Sequence, residues 1–156
     1  IGAGTGLCSL AAARMGAAEV VATDASPGVL ELIEAAAAAQ DLGVVRTQVF
    51  DFLGDAAASP VRGVDVAVAA DLLYTEEITR AVARTCAALK TGGATVVVTD
   101  SQRRHRDAFL DELDRCLPRA DREFEATTVS DYTGWFYPDA GDVSVEAITV
   151  GVLRLI

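Results

Sequence analysis

The chain has 156 residues, 51% of them hydrophobic, with 23 acidic and 13 basic side chains and a formal net charge of −10. That length buries one core and is too short for two ordinary domains, so residues 1–156 read as a single domain. The acidity argues against a nucleic-acid backbone or an anionic membrane surface as the main partner, because both would be repelled, and favours a neutral or cationic one.

Cys8, Cys86 and Cys116 are odd in number, widely spaced and set in apolar helical stretches, the pattern of buried free thiols rather than disulfides or metal ligands. No basic stretch leads into an apolar core as in a secretory signal, and no uncharged run approaches membrane-spanning length. The expected setting is a reducing, aqueous compartment: the cytoplasm first, the nucleus or an organelle as alternatives. His105, flanked by Arg103, Arg104 and Arg106, lacks metal-ligand companions and reads as a solvated surface residue.

In chain order, Ile1 stands directly before Gly2-Ala3-Gly4-Thr5-Gly6, a glycine loop of the kind that a strand feeds. The expectation is therefore an N-terminally incomplete domain whose first strand is truncated. Leu7 to Met15 reads as an alanine-rich helix ending near Gly16, a residue suited to the left-handed position after a helix. Glu19 to Thr23 reads as a strand running into Asp24. Ser26-Pro27 then opens a helix that continues to Gln40, with serine as its cap and proline at its first position. Val44 to Phe50, Val64 to Ala70 and Ala94 to Thr99 are apolar on both faces, as parallel strands covered by helices should be. Glu76 to Leu89 and Arg104 to Leu117 read as helices between and after them. Glu123 to Val129 and Val143 to Leu155 read as an antiparallel pair, joined by an aromatic loop from Asp131 to Pro138. This alternation implies an α/β, Rossmann-like, doubly wound and mostly parallel sheet of seven strands ending in an antiparallel pair.

Glycines between a strand and a helix let the backbone approach a ligand where side chains would collide. A dinucleotide fingerprint would need a small residue at position 7, where Leu7 stands, and a phosphate-binding loop would need lysine then Ser/Thr in place of Leu7 and Cys8. NAD and ATP are thereby disfavoured. Asp24 lies about twenty residues after the loop, where a carboxylate accepts from the ribose hydroxyls of an adenosyl cofactor. Its competing role is to cap the next helix, although Ser26 already stands at the cap position. Asp51 and Phe52 follow the next strand, where they either meet an adenine or form an ordinary turn with a core aromatic. Asp71 and Tyr74 lie beyond the carboxyl end of Val64 to Ala70, where open parallel sheets bind ligands. They face the reacting end of the cofactor, or else Asp71 caps the following helix and Tyr74 packs on it.

Taken together, Gly2 to Gly6, Thr23-Asp24, Asp51-Phe52 and the run from Ala70 to Glu77 resemble the seven-β-strand protein-lysine methyltransferases, methyltransferase family 16. The D-x-x-Y signature at Asp71 to Tyr74 is the most diagnostic part; Phe52 stands where the family carries tryptophan. The resemblance covers about the first two thirds of the chain and implies S-adenosylmethionine (SAM) as cofactor and a protein lysine as acceptor. It further implies that Gly2, Gly4 and Gly6 line the methionine part, Asp24 the ribose, and Asp51 with Phe52 the adenine, with Ala3, Thr5 and Ala25 also in contact with the cofactor. Ala70 joins these cofactor contacts, and Asp71 with Tyr74 forms the acceptor channel. No metal and no nucleic acid enter this scheme. A small-molecule or other N- or O-methyltransferase, and a non-catalytic SAM-fold module that binds a partner, are the alternatives, since fold does not fix substrate.

Overall fold

The computed structural model describes residues 1–54, 61–101, 104–118, 122–129 and 148–156. The elements run α1 (Leu7–Arg14), β1 (Val20–Asp24), α2 (Pro27–Ala38), β2 (Val45–Val49), β3 (Val66–Ala70), α3 (Glu76–Thr91), β4 (Thr95–Asp100), α4 (Arg106–Cys116), β5 (Arg122–Val129) and β6 (Ile148–Leu155). Both expected C-terminal strands are present, and the aromatic loop from Asp131 to Pro138 lies outside the described residues.

Local chemistry accounts for the helix ends. Pro27 occupies the first helical position of α2, where a missing N–H costs nothing. Thr75 caps α3 by accepting the Ile78 N–H at 3.3 Å, and Glu76 with Glu77 in the first turn and Lys90 in the last complement the helix dipole. Gly16, with φ +93, takes up the left-handed conformation expected after α1.

The strands form two hydrogen-bonded sets. β1 pairs with β2 in parallel, Val20 opposite Val45. The second set has the order β3-β4-β6-β5, with β3 and β4 parallel and β6 antiparallel to both β4 and β5. Between the sets, the Ile1 amino group donates to the Val68 carbonyl at 2.7 Å and the Ala3 N–H to the Thr23 carbonyl at 2.9 Å, so residues 1–3 lie between β1 and β3. The expected seven-stranded sheet is thus six strands among the described residues. The reason is that residues 1–3 make only these bonds to their neighbours and do not build a ladder.

The main core lies where α3 and α4 meet β3, β4 and β6, with Val82, Cys86, Val96, Phe109, Leu113 and Leu155 fully buried. A smaller cluster of Ala22, Leu30 and Ile33 joins α2 to β1. Cys86 belongs to the core and burial pushes its thiol up to about 12, but Cys8 is exposed and Cys116 half-buried. The expectation of three buried thiols holds only for Cys86: Cys8 lies with Leu7 on the exposed start of α1, where an apolar-looking sequence faces outward, and Cys116 closes α4 at the edge of the core. His105 is half-buried at the start of α4, its Nε2 accepting from Arg104 Nε at 3.0 Å, rather than fully solvated.

One buried charge locks α4 to α3. Glu112 is 4% exposed and accepts from Arg84 at 3.0 Å and from Arg115 at 2.5 and 3.2 Å, with Arg80 at 3.7 Å. These bonds, led by that from Arg115, hold its carboxyl down at about 2, against an ordinary value of 4.5. A depressed carboxylate contributes stability above the unfolded value that is lost as pH falls through the folded one. Glu112→Gln is therefore expected to cost about 1–3 kcal/mol at neutral pH. The difference from wild type should shrink as pH falls from about 4.5 to about 2, measured by denaturant unfolding across that range.

Candidate functional site

The parallel strands β1 to β4 carry aspartates at their carboxyl ends: Asp24 is the last residue of β1, Asp51 follows β2, Asp71 follows β3 and Asp100 ends β4. This is the edge where open α/β sheets bind ligands.

The glycine loop is shaped by packing as well as by exposure. A Cβ on Gly2 would stand 2.6 Å from the Leu72 side chain, and one on Gly6 2.7 Å from Ile33. Those two glycines let the loop settle onto the segment after β3 and onto α2. Gly4, at φ +52, is different: a Cβ there would meet nothing within 4 Å, so its backbone faces open space. Ala3 is half-buried against the β1–α2 cluster, and Thr5 is exposed.

Asp24 ties three segments together. Its Oδ2 accepts from the Gly4 N–H and its Oδ1 from the Ser26 N–H, both at 3.0 Å. The Ser26 side chain makes no capping bond. The expectation that serine caps α2 is therefore corrected: the carboxylate two residues upstream satisfies the N–H at the head of that helix while also clamping the loop. A carboxylate has about four acceptor positions, so one remains on each oxygen for a ribose hydroxyl. Ala25, next to it, is exposed.

Asp51 is exposed and accepts the Leu53 N–H at 2.9 Å, while Phe52 packs on the main core and meets Phe50 edge-to-face at 5.5 Å. These contacts form a local turn with a half-buried aromatic, and the exposed carboxylate keeps acceptor capacity beyond that turn.

Ala70 closes β3, and the Asp71 N–H adds one further rung to the ladder by donating to the Thr99 carbonyl at 2.9 Å. The chain then turns sharply, with Asp71 at φ +56, a left-handed conformation that is uncommon outside glycine and tolerated by aspartate. Ser101 Oγ donates to Asp71 Oδ1 at 3.0 Å. Leu72 and Leu73 turn into the core, leaving Asp71 half-buried and Tyr74 54% exposed on either side. Since Thr75 caps α3, Asp71 does not have that role. Leu72 beneath Gly2 brings the segment from Asp71 to Tyr74 against the glycine loop. Ser101 escaped the sequence analysis, although the rule that ligands gather at strand carboxyl ends, applied to Thr99-Asp100-Ser101, points to it.

A glycine loop between strands, an acid closing the next strand and a strained acid at the edge define a Rossmann-like domain for an adenosyl cofactor. The chain belongs to the methyltransferase domain family, whose profile, described as "Methyltransferase domain", matches residues 1–93. Its cofactor is S-adenosylmethionine, and its class is that of the SAM-dependent methyltransferases. That match identifies methyltransferases at large and not the narrower protein-lysine family. No curated protein matches the sequence. Among solved structures, the fold is similar to precorrin 8W decarboxylase from Methanobacterium thermoautotrophicum, with TM-score 0.70, 17% identity, and coverage of 100% of this chain and 78% of that one. It is also similar to precorrin-6y C5,15-methyltransferase from Geobacter metallireducens, with TM-score 0.64 and 17% identity over 98% of this chain and 75% of that one. A TehB-like SAM-dependent methyltransferase from Corynebacterium glutamicum gives TM-score 0.59 and 19% identity over 96% and 76%.

The residues present fit the cofactor. Gly4 offers bare backbone to open space, and the half-buried Asp24 carboxylate has acceptor positions left for ribose hydroxyls. Gly6→Ala is expected to destabilise the fold by roughly 2–4 kcal/mol, combining overpacking against Ile33 with left-handed strain. Gly4→Ala should cost only about 1 kcal/mol of stability yet weaken SAM binding roughly tenfold or more, by placing a methyl group on the open face. Guanidinium unfolding and calorimetric titration separate the two; unchanged SAM affinity in Gly4→Ala would move the cofactor off this face.

Proposed function

We propose that the chain transfers the SAM methyl group to the side-chain amine of a protein lysine. The observation that carries this reading is the conformation of Asp71. Its strained backbone and its bond from Ser101 hold a carboxylate at the carboxyl end of β3, one residue before the leucine that packs under the glycine loop. Strain of this kind persists where the surroundings fix it, and it clusters at functional sites.

The sulfonium of SAM supplies an already activated methyl, so the protein's task is to bring a neutral amine in line with it and keep water away. A lysine arrives as an ammonium. Asp71 attracts that cation and orients it, and the exposed Tyr74 beside it contributes an apolar ring with a polar tip to the rim. Asp71 by itself favours the ammonium, so it is the loss of hydration on entering the site that lowers the amine's pKa, and the proton leaves along the carboxylate to solvent. The other strand-end aspartates, Asp24, Asp51 and Asp100, add negative potential along the same edge, which favours cationic acceptors and repels anionic ones. In this scheme Gly2, Ala3, Gly4, Thr5, Gly6 and Ala70 surround the methionine part, Asp24 and Ala25 hold the ribose, and Asp51 and Phe52 border the adenine. A small-molecule acceptor is the second reading, favoured by the two precorrin enzymes among the similar structures.

Asp71→Asn tests the lysine reading, because asparagine tolerates the left-handed backbone while removing the charge. Labelled methyl transfer to lysine-bearing proteins should fall by about a hundredfold or more, an effect within the range of a lost charge-assisted contact. SAM affinity should stay within about twofold. Wild-type transfer by Asp71→Asn, or wild-type product that survives chemical blocking of every acceptor lysine, would overturn it.

A further inference from the structure

The last rung between β3 and β4 is the bond from Asp71 N–H to the Thr99 carbonyl. Beyond it the two strands part: the chain at Asp71 turns away through φ +56, whereas β4 runs to its last residue, Asp100, and the chain bends at Ser101. Ser101 therefore overhangs Asp71 from the neighbouring strand, and its hydroxyl reaches back to Asp71 Oδ1 at 3.0 Å. Ser101 is exposed and belongs to neither apolar cluster, so packing does not account for this contact.

We propose that Ser101 is a positioning residue for methyl transfer, setting the direction in which the Asp71 carboxylate meets the acceptor amine. The proposal rests on the reading of Asp71 as the acceptor-binding acid. Aspartate's χ2 is a broad, roughly two-fold torsion, so the donors that meet the carboxylate decide its direction. A hydroxyl donated to one oxygen fixes that rotation, and the carboxylate has about four acceptor positions, so it can bind an ammonium as well. Placement matters because in-line transfer requires the amine nitrogen close to the methyl carbon and aligned with the bond that breaks, and a misplacement of about 1 Å can cost about a hundredfold. A serine hydroxyl of ordinary acidity is not a base here, so its effect passes through Asp71. Charge and orientation are thereby divided between the ends of neighbouring strands: the residue after β3 supplies the acid and the residue after β4 the donor that aims it.

The test uses the full chain and transfer of tritiated methyl from SAM to poly-L-lysine and to a pool of peptides each carrying one lysine. In Ser101→Ala, kcat should fall about ten- to a hundredfold, the scale of a lost hydrogen bond to a charged group. Affinity for S-adenosylhomocysteine and the melting temperature should stay at wild-type values, and Ser101→Thr, which keeps the hydroxyl, should restore kcat. Wild-type kcat in Ser101→Ala, alongside an inactive Asp71→Asn, would overturn the positioning role and leave the lysine reading standing. A Ser101→Ala protein that loses kcat and melting temperature together, without rescue by threonine, would overturn it in favour of a structural role. No transfer by wild type to either lysine probe, or full activity in Asp71→Asn, would instead remove the lysine reading beneath it.

Discussion

A single carboxylate connects the segments that make up the cofactor face. Asp24 ends β1, accepts the N–H of Gly4 in the glycine loop, and accepts the N–H of Ser26 at the start of α2. The loop has few other anchors: Ala3 donates to Thr23, Gly6 to Ala3, and the spaces above Leu72 and Ile33 admit only glycine. Because backbone N–H groups lose heavily when unsatisfied, an acceptor placed between loop and helix sets where both begin. The same oxygens can then take ribose hydroxyls as further donors. In the proposed reading, architecture and cofactor recognition share one side chain, so Asp24 substitutions act on both.

Stability and chemistry are otherwise kept apart. The large buried side chains and the Glu112 cluster with its three arginines belong to α3, α4 and the four-stranded set. The strained and exposed groups stand at the carboxyl ends of the parallel strands: Asp71 in its left-handed conformation, Tyr74 half exposed and Gly4 facing open space. This is the division expected when a rigid scaffold supports loops that carry function. β6, inserted antiparallel between β4 and β5, holds β4 on its outer edge, with Val98 opposite Leu153 and Asp100 opposite Gly151. The position of Ser101 over Asp71 depends on that support.

Periodicity and punctuation made most of the fold legible. Pro27 after Ser26 marks the start of α2 and Gly16 the end of α1, and the bounds of the parallel strands fall within about two residues of those observed. β2, Val-Arg-Thr-Gln-Val and largely exposed, is however not apolar on both faces as expected, because no described residue buries Arg46, Gln48 or Val49. The glycine loop and Asp24 stood out as candidate cofactor elements for the same reason, their spacing along one βαβ unit. What a linear pattern does not encode is which donor a side chain meets. Asp24 bonds to Gly4 across twenty residues and to Ser26 across two, and Ser101 to Asp71 across thirty. Glu112 looks like a surface acid on an amphipathic helix until α3 brings Arg80 and Arg84 beside it. The expected seventh strand rested on the glycine loop and on the antiparallel ending, and residues 1–3 meet β3 and β1 through single bonds that no periodicity encodes.

The most direct measurement is the amide spectrum of the ¹⁵N-labelled chain during titration with S-adenosylhomocysteine. The account predicts saturable one-to-one shifts concentrated at Gly2, Gly4, Gly6, Asp24 and Ser26, with smaller changes at Asp71 and little at α4. A folded chain whose glycine-loop and Asp24 amides stay unmoved, or whose shifts gather instead around Glu112 and α4, would contradict it.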